Sequence, residues 1–426
     1  MMIPFLLFVI FTPFGQQIYV GGFHFFADRI LILFGCMRMA GTKMASDEDI
    51  VPWGLNPIDK MFIASTIFGA IATVLVFMQM SAVPSQLGVL WDAIGGYFLI
   101  RFMIQNEEDV ARFIKILAGS MAILAGTMLN EVYRHQNVFG FITGGWGVTE
   151  REGAIRAQGP LAGPILAGMF GATAFCLFVW LWKSGKSKAF AVVGIIACTV
   201  ITVTSHSSTS LLGYLASLIG LSMWFLRKQM RLIRWGIVIL IISLHLVMKA
   251  PVWFIITHVD LVAGNSGFHR AKVIDDLVRT FGDWWLIGVK STNSLGWDMW
   301  DQANQFVGAG ENGGLITLVC FILMISRSFG RLGTARKIAD GDTKKEWELY
   351  LLGVVLFSYV VSFFGISFSR GAEVYPWYAL FAMIAVISSP LLQTVAVPDL
   401  NATPAKAPYR FKQVPQTIST RNQTTP

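Results

Sequence analysis

Charge is scarce in this chain. Acidic and basic residues make up 14% of its 426 residues, 54% are hydrophobic, and the mean hydropathy is +0.60. An aqueous globule normally carries about 25% charged residues, so this composition excludes an ordinary soluble enzyme. Cysteine is scarce as well. Cys36, Cys176, Cys198 and Cys320 all lie in apolar runs and form no CxxC pair, so they read as small buried hydrophobes and not as a disulfide framework. HExxH, a Walker-type glycine loop and GxSxG are all missing, and no acidic metal motif or cofactor motif stands out. The N-terminus lacks a basic n-region and a small-residue cleavage site, so residues 1–20 read as a retained span and not as a signal peptide.

Apolar runs are what the chain has in abundance. Crossing roughly 30 Å of hydrocarbon takes about 20 apolar residues as a helix. Twelve runs approach that length, over residues 3–20, 23–39, 61–80, 87–104, 113–129, 160–182, 190–204, 211–226, 235–248, 306–325, 350–368 and 375–392. The expected fold is therefore an all-α integral membrane protein with about twelve transmembrane helices. Residues 1–397 form the polytopic domain, and the Pro-, Thr- and Gln-rich segment 398–426 reads as a disordered cytoplasmic tail. Positive residues near span ends stay on the cytoplasmic side. With both termini cytoplasmic, the clusters Lys183/Lys186/Lys188, Arg227/Lys228/Arg231/Arg234 and Arg327/Arg331/Arg336/Lys337/Lys344/Lys345 fall inside, as most of the 33 positive residues do. The net charge of +8 is then a matter of topology, and no nucleic-acid partner is implied.

Two long connections face outward, residues 130–158 and 251–305. The second holds five Trp, two His, two Arg and six Asp. Its aromatic and β-branched content argues against disorder, and a long ordered loop in a compact domain usually carries function. Within it, Ile274, Leu277, Val278 and Phe281 recur at helical spacing, predicting an amphipathic helix over residues 267–281 capped by Asn265 or Ser266. His269 and Arg270 fall in its first turn, where the helix end disfavours cations and favours an anion. Arg156 stands just ahead of a span, in Arg156-Ala157-Gln158-Gly159-Pro160, with Pro160 expected to open the helix. Arg370 occupies the outward turn Ser367-Phe368-Ser369-Arg370-Gly371. A lone Arg at such a boundary commonly just snorkels, but three on one face make a plausible anion clamp.

These residues carry a resemblance. Arg156-x-x-Gly159 opening a span, Ser205-x-Ser207-Ser208 at the mouth of another, and a long outward loop bearing Gly267-Phe268-His269-Arg270 resemble the O-antigen ligase and polymerase superfamily. Asp298-x-x-Asp301-Gln302-Ala303-Asn304-Gln305-Phe306, followed by Glu311-Asn312-Gly313-Gly314-Leu315-Ile316, is similar to that family's His-Asn stretch and Glu-x-Gly-Leu-Ile turn. The match covers residues 156–325 by motif and the remainder by span count alone. It implies a metal-independent glycosyltransferase of a bacterial cytoplasmic membrane, acting on the outer side on a glycan carried by undecaprenyl diphosphate. The glycan passes to another glycan or to a lipid core, and membrane lipid and other polysaccharide-assembly proteins are the expected partners. Arg156 and Arg270 would hold the diphosphate, because guanidinium groups stabilise charge developing on the leaving oxygen. Arg370, Gln302, Asn304, His206 and Ser208 are further candidate substrate ligands.

One position departs from the family. Where its ligases place a His read as the base for the acceptor hydroxyl, this chain has Gln302 or Ala303, neither of which takes a proton. Asp301, His269 and Glu311 are the remaining candidates, with Asp301 nearest the missing His. The departure leans towards a polymerase over a strict ligase. Bland explanations stand beside the others. The run Thr204–Ser210 offers hydroxyls and His206 to a sugar or phosphate, yet small polar residues also pack membrane helices. The Trp residues of the long loop offer stacking faces, yet interfacial anchoring is commoner. A transporter or flippase of lipid-linked glycan is the main alternative, with Asp28, Arg29 and Asp92 as ionisable groups inside the runs.

Overall fold

The computed structural model describes residues 1–13, 15–20, 23–45, 50–143, 147–151, 153–258, 266–296, 299, 303–368 and 371–396. It is 78% helical. The first half runs through α1 (Met2–Phe11), the hairpin β1 (Gln17–Val20) and β2 (Phe23–Phe26), α2 (Ala27–Ala45), α3 (Pro57–Phe77), α4 (Ala82–Leu90), a π turn at Trp91–Gly95, α5 (Gly96–Met103) and α6 (Glu107–Arg134). A single turn α7 (Gly140–Thr143) and a second hairpin, β3 (Thr149–Arg151) with β4 (Ala154–Arg156), lead to α8 (Pro164–Ser184), α9 (Lys188–Thr204), α10 (Ser208–Ser222) and α11 (Met230–Val247). The long loop contains α12 (Ser266–Arg279) and α13 (Phe281–Trp284), and the chain ends in α14 (Gln305–Ile338), α15 (Thr343–Ser362) and α16 (Val374–Ala396).

The helix starts follow the sequence chemistry. Asn56 and Asp59 form a reciprocal capping box on α3, with Pro57 opening the helix. Asn106 caps α6 ahead of Glu107, Glu108 and Asp109, which suit the positive end of the helix dipole. Helix α8 starts at Pro164 and not at Pro160, because residues 160–163 are spent in a turn.

Among the described residues six helices, and not twelve, are long and apolar enough to cross a membrane: Pro57–Phe77, Glu107–Arg134, Pro164–Ser184, Ser208–Val247, Gln305–Ile338 and Val374–Gln393. The shortfall has local causes. The run 3–20 breaks where α1 ends at Phe11 and the chain enters the hairpin, and ten helical residues reach only about 15 Å. Run 23–39 begins as a strand, and α2 then carries Asp28, Arg29, Arg38 and Lys43. Run 87–104 is interrupted by the π turn holding Asp92. Runs 211–226 and 235–248 lie in one helical stretch joined by the 3-10 segment Met223–Gln229. Helix α9 has 17 residues, and α15 opens on Lys344, Lys345, Glu346 and Glu348.

The core sits around α8 and α16, which are buried along most of their length. Helix α8 packs on α9, α10 and α15, while α3 lies along α14. Small residues allow the close approach. A Cβ on Gly171 would come within 2.9 Å of the Cys198 carbonyl oxygen, so α8 and α9 touch almost backbone to backbone. Helix α11 differs, for none of its residues is buried, and Leu232, Trp235, Ile239 and Leu246 are exposed. Such a surface requires an apolar surrounding.

The bundle has two chemically different ends. At one, Lys186 pairs with Glu108 at 2.5 Å, Lys345 with Glu107 and Glu348, and Arg227 with Glu346 at 2.8 Å, while Lys183 lies over the Trp347 ring. At the other gather the β3–β4 hairpin, the α9–α10 turn, the start of α12 and the α15–α16 connection. Two arginines inside the bundle, Arg29 and Arg101, pair with carboxylates. Arg29 makes a bidentate bridge to Asp92 at 2.8 Å. Asp59 and Arg101, both fully buried, meet at 3.4 Å.

Candidate functional site

The α9–α10 turn organises the loop-bearing end. The backbone N–H of Ala157 donates to the Thr204 carbonyl at 3.0 Å, which seats Arg156, the last residue of β4, beside that turn. On the other flank, the Thr209 hydroxyl donates to the Gly365 carbonyl at 3.4 Å. A Cβ on Gly365 would lie 2.6 Å from the Thr209 hydroxyl and 3.2 Å from Arg270 Nε. The structure therefore brings Arg156 and Arg270, 114 residues apart, to opposite flanks of one turn.

Each arginine is held by local chemistry. Glu131, near the end of α6, accepts the N–H groups of Gln158 and Gly159 at 3.2 and 2.9 Å, and Asn137 donates to the Gly159 carbonyl at 2.8 Å. Gly159 has φ +60, and a Cβ there would meet Leu124 at 2.8 Å, so the Arg-x-x-Gly spacing reflects a left-handed turn that glycine adopts freely. Burial and the neighbouring guanidinium of Arg151 push the Arg156 pKa down, and its Nε has no hydrogen-bond partner. A half-buried cation next to another cation favours an anion nearby. Arg270 is 7% exposed and shares the inward face of α12 with Val273 and Leu277.

The helix predicted over residues 267–281 is observed as α12. Its buried stripe is Ala271, Val273 and Leu277, with Ile274 half-buried, while Val278 and Phe281 stand exposed. Val273 and Leu277 join Trp284, Leu295, Met299 and Val307 in a second hydrophobic cluster. The long loop therefore has its own core. Two of its Trp residues are structural, since Trp253 Nε1 donates to Asp275 at 3.2 Å and Trp284 Nε1 to the Leu277 carbonyl at 2.8 Å. Of the proposed caps, Asn265 lies outside the described residues, and Ser266 begins the helix.

The other candidates separate. His206 is exposed at the apex of the α9–α10 turn with φ +41. Ser208 is buried at the start of α10. Ser205 donates to the Thr202 carbonyl at 2.8 Å and Ser210 to the Ile165 carbonyl at 3.2 Å, so these two hydroxyls pack helices. Ser207, also buried, keeps an unpartnered hydroxyl. His269 is half-buried beside Arg270. Asn304 is a helix cap, its Oδ1 accepting the Phe306 and Val307 N–H groups at 2.9 and 3.2 Å. Glu311 is buried in the second turn of α14, where its carbonyl accepts the Val289 N–H at 2.8 Å. Asp301, Gln302 and Arg370 lie outside the described residues.

Glu373 was not among the sequence candidates. It precedes α16, is 1% exposed, and among the described residues no other residue hydrogen-bonds either carboxylate oxygen. Burial pushes its pKa up to about 7, against the weaker pull of its own backbone N–H. It lines a pocket with Asp28, Tyr375, Phe26, Gln16 and the Pro160–Ala162 turn. That turn directly continues the Arg156-x-x-Gly159 segment. A carboxylate shortly before an apolar run was the available signal. No protein-family model matches this sequence, and a comparison with curated proteins finds no match.

Proposed function

We propose that this protein is a membrane glycosyltransferase that moves a glycan from an undecaprenyl-diphosphate carrier on the outer side of a bacterial cytoplasmic membrane, as an O-antigen or exopolysaccharide polymerase or a ligase-like relative. The observation that supports this reading most is the convergence of Arg156 and Arg270 on the Thr204–Thr209 turn. Two guanidinium groups flanking a turn with an unpartnered Ser207 hydroxyl suit a diphosphate, which takes several donors at once. In a water-poor site they would stabilise charge on the departing diphosphate. The basic end of the bundle would face the cytoplasm by the positive-inside rule, which puts the clamp outside.

The test is the pattern of lipid-linked intermediates in cells. Loss of the protein should leave short repeat units on the carrier in the outer leaflet, and Arg156→Ala or Arg270→Ala, with insertion verified, should reproduce it. Unchanged glycan length in both variants would sink the diphosphate clamp. A lipid-linked glycan transporter is the second reading, favoured by the ion pairs inside the bundle, Arg29 with Asp92 and Asp59 with Arg101. Repeat units trapped in the inner leaflet would decide for it.

A further inference from the structure

We infer that the pocket bounded by Glu373, Asp28, Tyr375 and the Pro160–Ala162 turn is the acceptor subsite, a site for a sugar hydroxyl, and that Glu373 is the base that deprotonates it. The inference rests on the glycosyltransferase reading above and supplies what that reading lacked at Gln302.

Three observations carry it. The carboxylate is almost wholly buried, yet among the described residues no other residue hydrogen-bonds its oxygens, a costly arrangement that a hydroxyl donor would relieve. The pocket combines carboxylates with the Phe26 and Tyr375 rings, and sugars are commonly gripped by polar groups along an edge and aromatic surface against a face. Its wall at residues 160–162 follows Arg156 by only four residues, and Glu131 pins the intervening backbone. Cation and carboxylate are therefore fixed relative to one another.

The step balances within these groups. The acceptor oxygen forms a bond to the anomeric carbon of the donor, and the bond from that carbon to the diphosphate oxygen breaks, its electron pair leaving on the diphosphate. The hydroxyl proton passes to Glu373, which becomes the neutral acid and then returns the proton to water. Among the described residues, the titratable groups facing Glu373 are Asp28 of α2, whose carboxylate accepts from Tyr375 of α16 at 3.3 Å, and Tyr359 of α15. Burial raises the Glu373 pKa to about 7, near the pH at which a general base works best.

The experiment uses the full chain in proteoliposomes with a synthetic undecaprenyl-diphosphate-linked repeat unit, comparing wild type, Glu373→Gln, Glu373→Asp and Arg270→Ala. Gln imitates the buried neutral acid and should fold. It should lower kcat by about 10²–10⁴-fold with donor binding unchanged, and abolish a rise in rate with pH through about 7 that wild type and the Asp variant show. A Gln variant as fast as wild type, or one that keeps the pH-dependent rise, overturns the base assignment. If that happens while Arg270→Ala is inactive, the glycosyltransferase reading survives alone. If wild type transfers no glycan, both fall.

Discussion

Replacing Asp59 by Asn tests whether the ion pairs inside the bundle work as one unit. Asp59 Oδ2 accepts the Asn56 N–H at 2.9 Å and Arg101 Nη2 at 3.4 Å, and Oδ1 accepts the Tyr97 hydroxyl. Arg331 of α14 interacts electrostatically with both charges while donating to Ser388 and Ser389 at 2.6 Å. A single carboxylate thus faces two guanidinium groups, and Asp59 and Arg101 are both fully buried. Asn keeps the size and an acceptor for the Asn56 N–H but removes the charge. The two cations would then repel in a water-poor interior, and breaking a buried pair from one side costs about 3–5 kcal/mol.

Arg101→Met should cost less, because it removes one cation and leaves Asp59 with Arg331. The double variant Asp59→Asn/Arg101→Met should cost clearly less than the sum of the singles, with a coupling of about 2 kcal/mol. Detergent-solubilised protein titrated with SDS, with refolding verified, gives the three free energies. Additivity within about 0.5 kcal/mol, or Arg101→Met costing more than Asp59→Asn, would refute the shared-carboxylate account.

Gly171→Ala should lower thermal stability, by about 1–3 kcal/mol for overpacking, because the new Cβ would press on the Cys198 carbonyl. Gly126→Ala in α6, with open space around it, is the control and should be neutral or mildly stabilising. Glu373 also makes stability pH-dependent. Its carboxyl pKa is raised from 4.5 to about 7 on folding, so between those values the folded state binds more protons, and stability falls as pH rises. Thermal unfolding from pH 5 to pH 8 should show that fall in wild type and a smaller one in Glu373→Gln.

Periodicity and local chemistry were legible in the sequence. Apolar runs marked where helices lie, and the three-and-four spacing marked α12. Which runs stay helical to full length was not legible, because hydropathy alone does not reveal that residues 17–26 leave the helix for a hairpin. Asn304, a candidate substrate ligand by sequence, caps α14 through its Oδ1, as an Asn immediately ahead of an apolar helix commonly does. Asp59 and Arg101, 42 residues apart, and Glu373 became significant only through packing. The Glu373 pocket is closed by α1, α2 and the Pro160–Ala162 turn, segments more than two hundred residues away.

The distribution of unpartnered groups favours transfer over transport. At the basic end, the unmatched N–H groups of Arg101 belong to a guanidinium that already has Asp59 in reach, so its charge is answered. At the loop-bearing end, Arg156 keeps an unpartnered Nε and Glu373 an unpartnered carboxylate, and the two do not pair with each other. Stability alone would have brought them together, since an ion pair offsets part of the desolvation of both. Holding them apart leaves a positive subsite at Arg156 and a negative one at Glu373, on either side of the Pro160–Ala162 turn. The proposed glycosyl transfer would use that separation, with the cation facing the departing diphosphate and the base facing the incoming hydroxyl.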